Sequence, residues 1–155
     1  MIALIVAYAH NRVIGKDGQM PWFIKEELLH FKEITMGSTL IMGSKTYEGI
    51  GHPLVGREII VLSKTKNYVD ENVKTARSLK EAIANASYPD IFIAGGASVY
   101  EAAIDLVDKM YITKIDLEVV GDRYFAKFDE SQFIEIPKEK HTGPINYQYF
   151  EYIRK

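Results

Sequence analysis

The chain has no cysteine, so disulfides and thiolate metal sites are excluded and a reducing compartment is permitted. It has no run approaching the ~20 apolar residues that a membrane-spanning helix needs. It lacks a charge excess: net charge is −2, and the basic residues are scattered, giving no general affinity for nucleic acid or anionic membrane. Its four histidines, His10, His30, His52 and His141, show no metal-ligand spacing, so no metal is expected. Repeats, low-complexity tracts and linkers are missing too, and 155 residues read most simply as one domain, 1–155, able to bury a core. The apolar start, Met1 to Tyr8, has neither a basic lead-in nor a small-residue cleavage pattern, and reads as a buried strand. The cytoplasm is the expected location.

What is present is an alternation of short apolar runs and helical patterns, the signature of an α/β sheet with helices on its faces. Strands are expected at 2–8, 39–43, 58–63, 73–75, 90–95, 109–115, 132–136 and 147–153, and helices at 24–36, 44–50, 78–86 and 97–104. Ser78 with Glu81, and Ser98 with Glu101, have the spacing of a capping box and mark two helix starts. The last two strands have no helix between them, which predicts a terminal antiparallel hairpin. Tyr147, Tyr149 and Tyr152 lie in the final strand and are read as packing rather than a base-stacking platform.

The most informative residue is Glu27. On a helix over 24–36 it shares the i, i+3, i+4, i+7 face with Ile24, Phe31 and Ile34, while Glu26, His30 and Glu33 fall on the opposite, solvated face. A carboxylate on an apolar stripe is costly unless something pairs with it, which points to a hydrogen-bonding ligand or a proton to be managed. The alternative is a helix rolled so that Glu27 meets solvent. Before it runs a long loop, Ala9 to Phe23, rich in turn residues and ending on Met20-Pro21-Trp22, a lid leading into the acid helix.

Three strand ends are suited to phosphate: Gly43 before Ser44-Lys45-Thr46, Gly95-Gly96 before Ala97-Ser98-Val99-Tyr100, and Ser63-Lys64. Together they suggest a large anionic cofactor such as a dinucleotide, although a glycine pair after a strand can also serve only a tight turn. A P-loop is rejected, because the Gly37-to-Gly43 spacing is one residue too long and Ser44 separates Gly43 from Lys45. A Gly-x-Gly-x-x-Gly fingerprint is absent. Arg57, after the loop 52–56, could grip a carboxylate in a bidentate fork or form a surface salt bridge.

Taken in order, Ala7, Asn11 to Gly15, Met20-Pro21-Trp22, Glu27-Leu28, Phe31-Lys32, Ile41 to Gly43, Thr46, Ile50-Gly51, Pro53-Leu54, Gly56-Arg57, Leu62-Ser63, Gly95-Gly96, Tyr100, Tyr111, Thr113 and Gly121-Asp122 resemble bacterial dihydrofolate reductases along the whole chain. The resemblance implies an eight-stranded, mostly parallel sheet with a C-terminal antiparallel hairpin and four flanking helices. It also implies hydride transfer from NADPH to 7,8-dihydrofolate, in a monomer that antifolates inhibit. Carried onto this chain, it makes Glu27, Trp22, Met20, Thr113 and Tyr100 the catalytic group. The substrate falls to Ile5, Ala7, Glu27, Leu28, Phe31, Lys32, Ile50, His52, Leu54, Arg57, Ala94 and Thr113. The cofactor falls to Ala7, Val13, Ile14, Gly15, Lys16, Asp17, Gly18 and Gln19, to Gly43, Ser44, Lys45 and Thr46, to Leu62, Ser63, Lys64 and Arg77, and to Gly95, Gly96, Ala97, Ser98, Val99, Tyr100, Glu101 and Ala102.

The chain departs from that pattern in places. Glu27 replaces a frequent aspartate, and Ser44 and Ser98 stand where many members have basic residues for the cofactor's 2′-phosphate. Lys45, Lys64 and Arg77 could compensate. Ala94 is small where a larger side chain often packs against pterin-like inhibitors, which with Glu27 suggests a trimethoprim-insensitive form. Rival readings are a nucleotide kinase, a silent pterin- or nucleotide-binding module, and a reductase of similar fold acting on a deaminated pyrimidine.

Overall fold

A computed structural model describes residues 1–155. Its sheet is built from β1 (Ile2–Tyr8), β3 (Thr39–Gly43), β4 (Glu58–Leu62), β5 (Val73–Ala76), β6 (Ile91–Ile93), β7 (Lys109–Asp116), β9 (Phe133–His141) and β10 (Asn146–Arg154), with β2 (Val13–Gly15) and β8 (Arg123–Tyr124) forming a separate pair. The order across the large sheet is β5-β4-β3-β6-β1-β7-β10-β9, parallel up to β7, with β10 antiparallel to both neighbours. Eight strands, a parallel majority and a closing antiparallel hairpin match the expectation. The helices are α1 (Lys25–Thr35), α2 (Ser44–Ile50), α3 (Leu79–Asn85) and α4 (Ala97–Ala103).

Strand alternation sorts the core into two faces. Leu4 and Val6 of β1 join Ile41, Ile60 and Ile93 under Val99, Tyr100 and Ala103 of α4 and Ala82 of α3. Ala3 and Ile5 join Leu40, Met42, Ile59 and Phe92 on the other face, where Phe31 and Ile34 of α1 and Tyr47 and Ile50 of α2 pack. Both faces are covered, so the central strands are apolar throughout. Each fully buried aliphatic side chain contributes about 1.5–3 kcal/mol. A core of this size can carry a destabilising polar group, and Glu27 is one.

Three local expectations need correction. Ser78 caps α3, accepting the Glu81 N–H at 3.1 Å, but Ser98 caps nothing: Gly96 is the residue before α4, and Ser98 lies inside the first turn. The helix itself begins at Ala97, where the 97–104 reading expected it. His30 is half-buried rather than solvated, because β10 reaches beside α1 and its Tyr149 stacks on the imidazole. The strand expected at 132–136 continues to His141, since Pro137 sits on the sheet's outermost strand, where one missing donor costs nothing.

Candidate active site

Ligand sites in such sheets gather past the carboxyl ends of parallel strands, and here the ends of β1, β3, β4 and β6 open on one rim. α1 crosses beside that rim and brings Glu27 to β7. Thr113 of β7 is flanked by Ala7 of β1 and Tyr149 of β10 in register. Its hydroxyl lies 3.1 and 3.0 Å from the two Glu27 carboxylate oxygens, so one O–H is shared between them. Burial pushes the Glu27 carboxyl from an ordinary 4.5 up to about 7, against the Thr113 hydrogen bond, which favours the carboxylate. The rolled-helix alternative is thereby excluded.

Around this pair, Trp22 is buried with an indole Nε1 that has no protein partner. Tyr100 is buried and donates its hydroxyl to the Ile5 carbonyl at 2.8 Å, fixing its ring against the middle of β1. Burial alone pushes its phenol far above the ordinary value, so Tyr100 acts as a neutral donor. Met20 is exposed at the end of the lid. The lid begins as a two-residue turn: Lys16 and Gln19 exchange backbone hydrogen bonds at 2.8 and 3.0 Å, and Asp17 and Gly18 both have positive φ. The Asp17 N–H donates to Asp122 Oδ2 at 3.0 Å, and the Asp122 N–H donates to the Gly15 carbonyl at 3.0 Å, latching the turn to the segment before β8.

Phe31 of α1, Ile50 of α2 and Leu54 are half-buried against the second core face, with Leu28 exposed and Lys32 in solvent. Arg57 is 5% exposed. Its Nε donates to the Val55 carbonyl at 3.2 Å and its Nη1 to Thr35 Oγ1 at 3.4 Å. It has no acidic partner, and burial lowers its pKa. The surface-salt-bridge alternative is therefore excluded, and the fork is preset for an anion. His52 is exposed and turns Nδ1 to the Pro53 carbonyl at 2.7 Å. Ala94, half-buried at the end of β6, donates its N–H to the Ile41 carbonyl.

On the other side of the rim, glycine makes a cradle. The Gly43 N–H donates to the Gly95 carbonyl at 2.8 Å. A Cβ on Gly95, whose φ is +112°, would meet Tyr100 Oη at 3.4 Å, and one on Gly96 would meet Thr46 Oγ1 at 3.4 Å. Glycine lets Tyr100 and Thr46 pack closely against this turn. Val99 packs inward, and Ser98, Glu101 and Ala102 face solvent, as Lys45 and Lys64 do. Val13 and Gly15 are buried and Ile14 is half-buried beside the cradle's β1 side, with Lys16 exposed. Arg77 is already engaged: its guanidinium donates to the Ser63 and Lys66 carbonyls, each at 2.7 Å, and to Asn67 Oδ1. It shapes the loop after Leu62 instead of reaching out from it.

Two elements of the site escaped sequence reasoning. The Asp17–Asp122 latch joins residues far apart in the chain through a strand pair too short to leave a period. Tyr149 and His30 were readable as an aromatic and a polar helix residue, but nothing local to either says that they meet.

A family model described as "Dihydrofolate reductase" matches residues 1–154. The chain is 38% identical to a dihydrofolate reductase of Bacillus subtilis (strain 168), over 100% of this chain and 95% of that protein. It is 37% identical to a protein of Salmonella typhimurium described as dihydrofolate reductase type 3, covering 96% and 93% of the two chains. A dihydrofolate reductase of Neisseria meningitidis is 37% identical, with 99% and 98% covered. With the sheet order, the buried acid and the glycine cradle already in place, these full-length matches make the chain a member of the dihydrofolate reductase family.

Proposed function

We propose that Glu27, Thr113 and Trp22 form the proton-handling centre through which this family member, an NADPH-dependent oxidoreductase, converts 7,8-dihydrofolate to 5,6,7,8-tetrahydrofolate. The observation that carries the reading is the buried Glu27 carboxyl, held on both oxygens by Thr113 and poised to change protonation near neutral pH. A group whose pKa lies near the working pH is the most effective acid–base catalyst.

The reaction adds a hydride to C6 and a proton to N5 across the C6=N5 double bond. When bound, NADPH supplies that hydride and leaves as NADP⁺. Glu27 accepts hydrogen bonds from the pterin's 2-amino group and N3, with Thr113 fixing the carboxyl plane. The unpaired Trp22 indole N–H is suited to hold a water on the route from Glu27 to N5. Ile5 and Ala94 offer backbone carbonyls to the pterin. Phe31, Ile50, Leu54 and Leu28 enclose the benzoyl ring, and Arg57 takes the substrate's glutamate carboxylate.

The cofactor fits the rim at Gly43 and Gly95-Gly96, where the ends of β3 and β6 meet and Thr46 Oγ1 lies against Gly96. Gly43, Gly95, Gly96 and Thr46 would hold its pyrophosphate, Ala7 and Ile14 its nicotinamide, and the lid would close over that ring. Lys45 and Lys64, both exposed, are the cations left for the 2′-phosphate, since Arg77 is spent on its own loop. No helix is long and apolar enough to cross a membrane. We read the protein as one domain, working as a cytoplasmic monomer. Dihydrofolate-dependent loss of NADPH absorbance by the purified protein, sharply reduced in Glu27→Gln near neutral pH, tests the reading. No dihydrofolate-dependent oxidation by the folded protein would refute it.

A further inference from the structure

Glu27 is largely but not wholly withdrawn from water, and beside its partner Thr113 stands a group of rings. Tyr149 of β10 pairs with Thr113 across the β10–β7 ladder, so the two side chains stand on the same face of the sheet. His30 lies one helical turn beyond Glu27, on the same flank of α1. Its imidazole stacks on the Tyr149 ring at 3.7 Å and 15°. Behind them, His141 of β9 meets Tyr149 edge-on at 5.2 Å and stacks on Tyr147 at 4.8 Å. Through Tyr149 the rings reach the strand position beside Thr113, which holds the carboxyl.

We propose that the His30–Tyr149 stack is a positioning element of the active site: it covers the outer side of Glu27, excludes water there and so holds the Glu27–Thr113 pair in place. The inference rests on the role given to Glu27 under the proposed function. Neither residue touches the pterin in that reading, so both act through Glu27 and Thr113.

The charges around the stack are compatible with this role. Glu27 is faced by Thr113 on β7 and by Tyr147 and Tyr149 on β10, and His30 follows it one turn along α1. His30 is faced by Glu26 and Glu33 on α1, Glu139 and His141 on β9, and Tyr149 and Glu151 on β10. Those carboxylates favour a charged imidazole, yet burial outweighs them and lowers the His30 pKa. The stack is therefore uncharged near neutrality. That matters, because a cation there would stabilise the Glu27 carboxylate and empty the proton store.

The test is a direct titration of the Glu27 side-chain carboxyl by ¹³C NMR in the unliganded full chain, with the signal assigned by its loss in Glu27→Gln. His30→Ala, His30→Gln and Tyr149→Ala each admit water. Each should lower the Glu27 midpoint by about one pH unit or more toward its ordinary value. Above neutral pH, that shift lowers the protonated fraction about tenfold. His30→Phe restores a stacking ring and should return the midpoint to that of the parent. The substitutions lie on two elements, so an unfolded variant at one leaves the other to decide. A Glu27 midpoint unmoved in the folded variants overturns the inference. A parent Glu27 that titrates at its ordinary value overturns the role of Glu27 itself, and this inference with it.

Discussion

Replacing Glu27 by glutamine should make the protein more stable in alkali than in acid, relative to the parent, while disabling it. The folded-state carboxyl holds its proton up to about pH 7, the unfolded one to about 4.5. At about 1.4 kcal/mol per pKa unit, that difference is worth about 3.5 kcal/mol. Because the folded pKa is the raised one, this contribution is complete below about pH 4.5 and disappears as pH rises through 7. Between pH 5 and pH 8 the parent should lose about 2.5 kcal/mol from this group alone. Glutamine has no proton to lose, so Glu27→Gln escapes that loss. Its carbonyl can still accept from Thr113, but its amide hydrogens enter a site without a matched acceptor, at a cost of about 1 kcal/mol at either pH. Urea denaturation of both proteins at the two pH values isolates the effect, since the constant cost cancels. The difference between variant and parent should move in favour of the variant by about 2.5 kcal/mol on going from pH 5 to pH 8. A difference that stays the same at both pH values would refute the claim that burial raises this carboxyl.

Other predictions follow from the same geometry. Arg57→Gln should raise KM for dihydrofolate about 100-fold, the equivalent of a lost charge-assisted contact of about 2–3 kcal/mol. The penalty should vanish with a dihydropterin lacking the glutamate, and persistence there would show that Arg57 acts on the fold instead. Gly95→Ala must accommodate φ +112° and a Cβ 3.4 Å from Tyr100 Oη, so NADPH affinity by fluorescence titration should fall about tenfold or more. Restoring a larger aliphatic residue at Ala94, together with Glu27→Asp, should tighten trimethoprim about 10–200-fold. Unchanged inhibition in the double variant would dispose of the proposed insensitivity.

Much of this molecule was legible because the signals are local. Doubly covered strands such as Ile59 to Leu62 are apolar at every position, and Ser78 with Glu81 marks a helix start that the structure honours. Glu27 was conspicuous for the same reason, a charge set into a helical apolar stripe. What failed was non-local. β2 and β8 are two or three residues long and find each other across more than a hundred positions. Whether Ser98 caps a helix depends on how tightly Gly95-Gly96 turns, which neighbouring spacing does not encode. The solvated face expected for His30 was sound reasoning about α1 alone; Tyr149 arrives from the far end of the chain and covers it. The sequence leaves Arg57 two fates, because only burial removes its acidic partners.

The central claim is that Glu27 governs the proton that accompanies the hydride. The pH dependence of single-turnover hydride transfer, compared between the parent and Glu27→Gln, tests it most directly. The parent rate should fall as pH rises through about 7, and the variant should be slower and lack that inflection. The same inflection surviving in Glu27→Gln would contradict it.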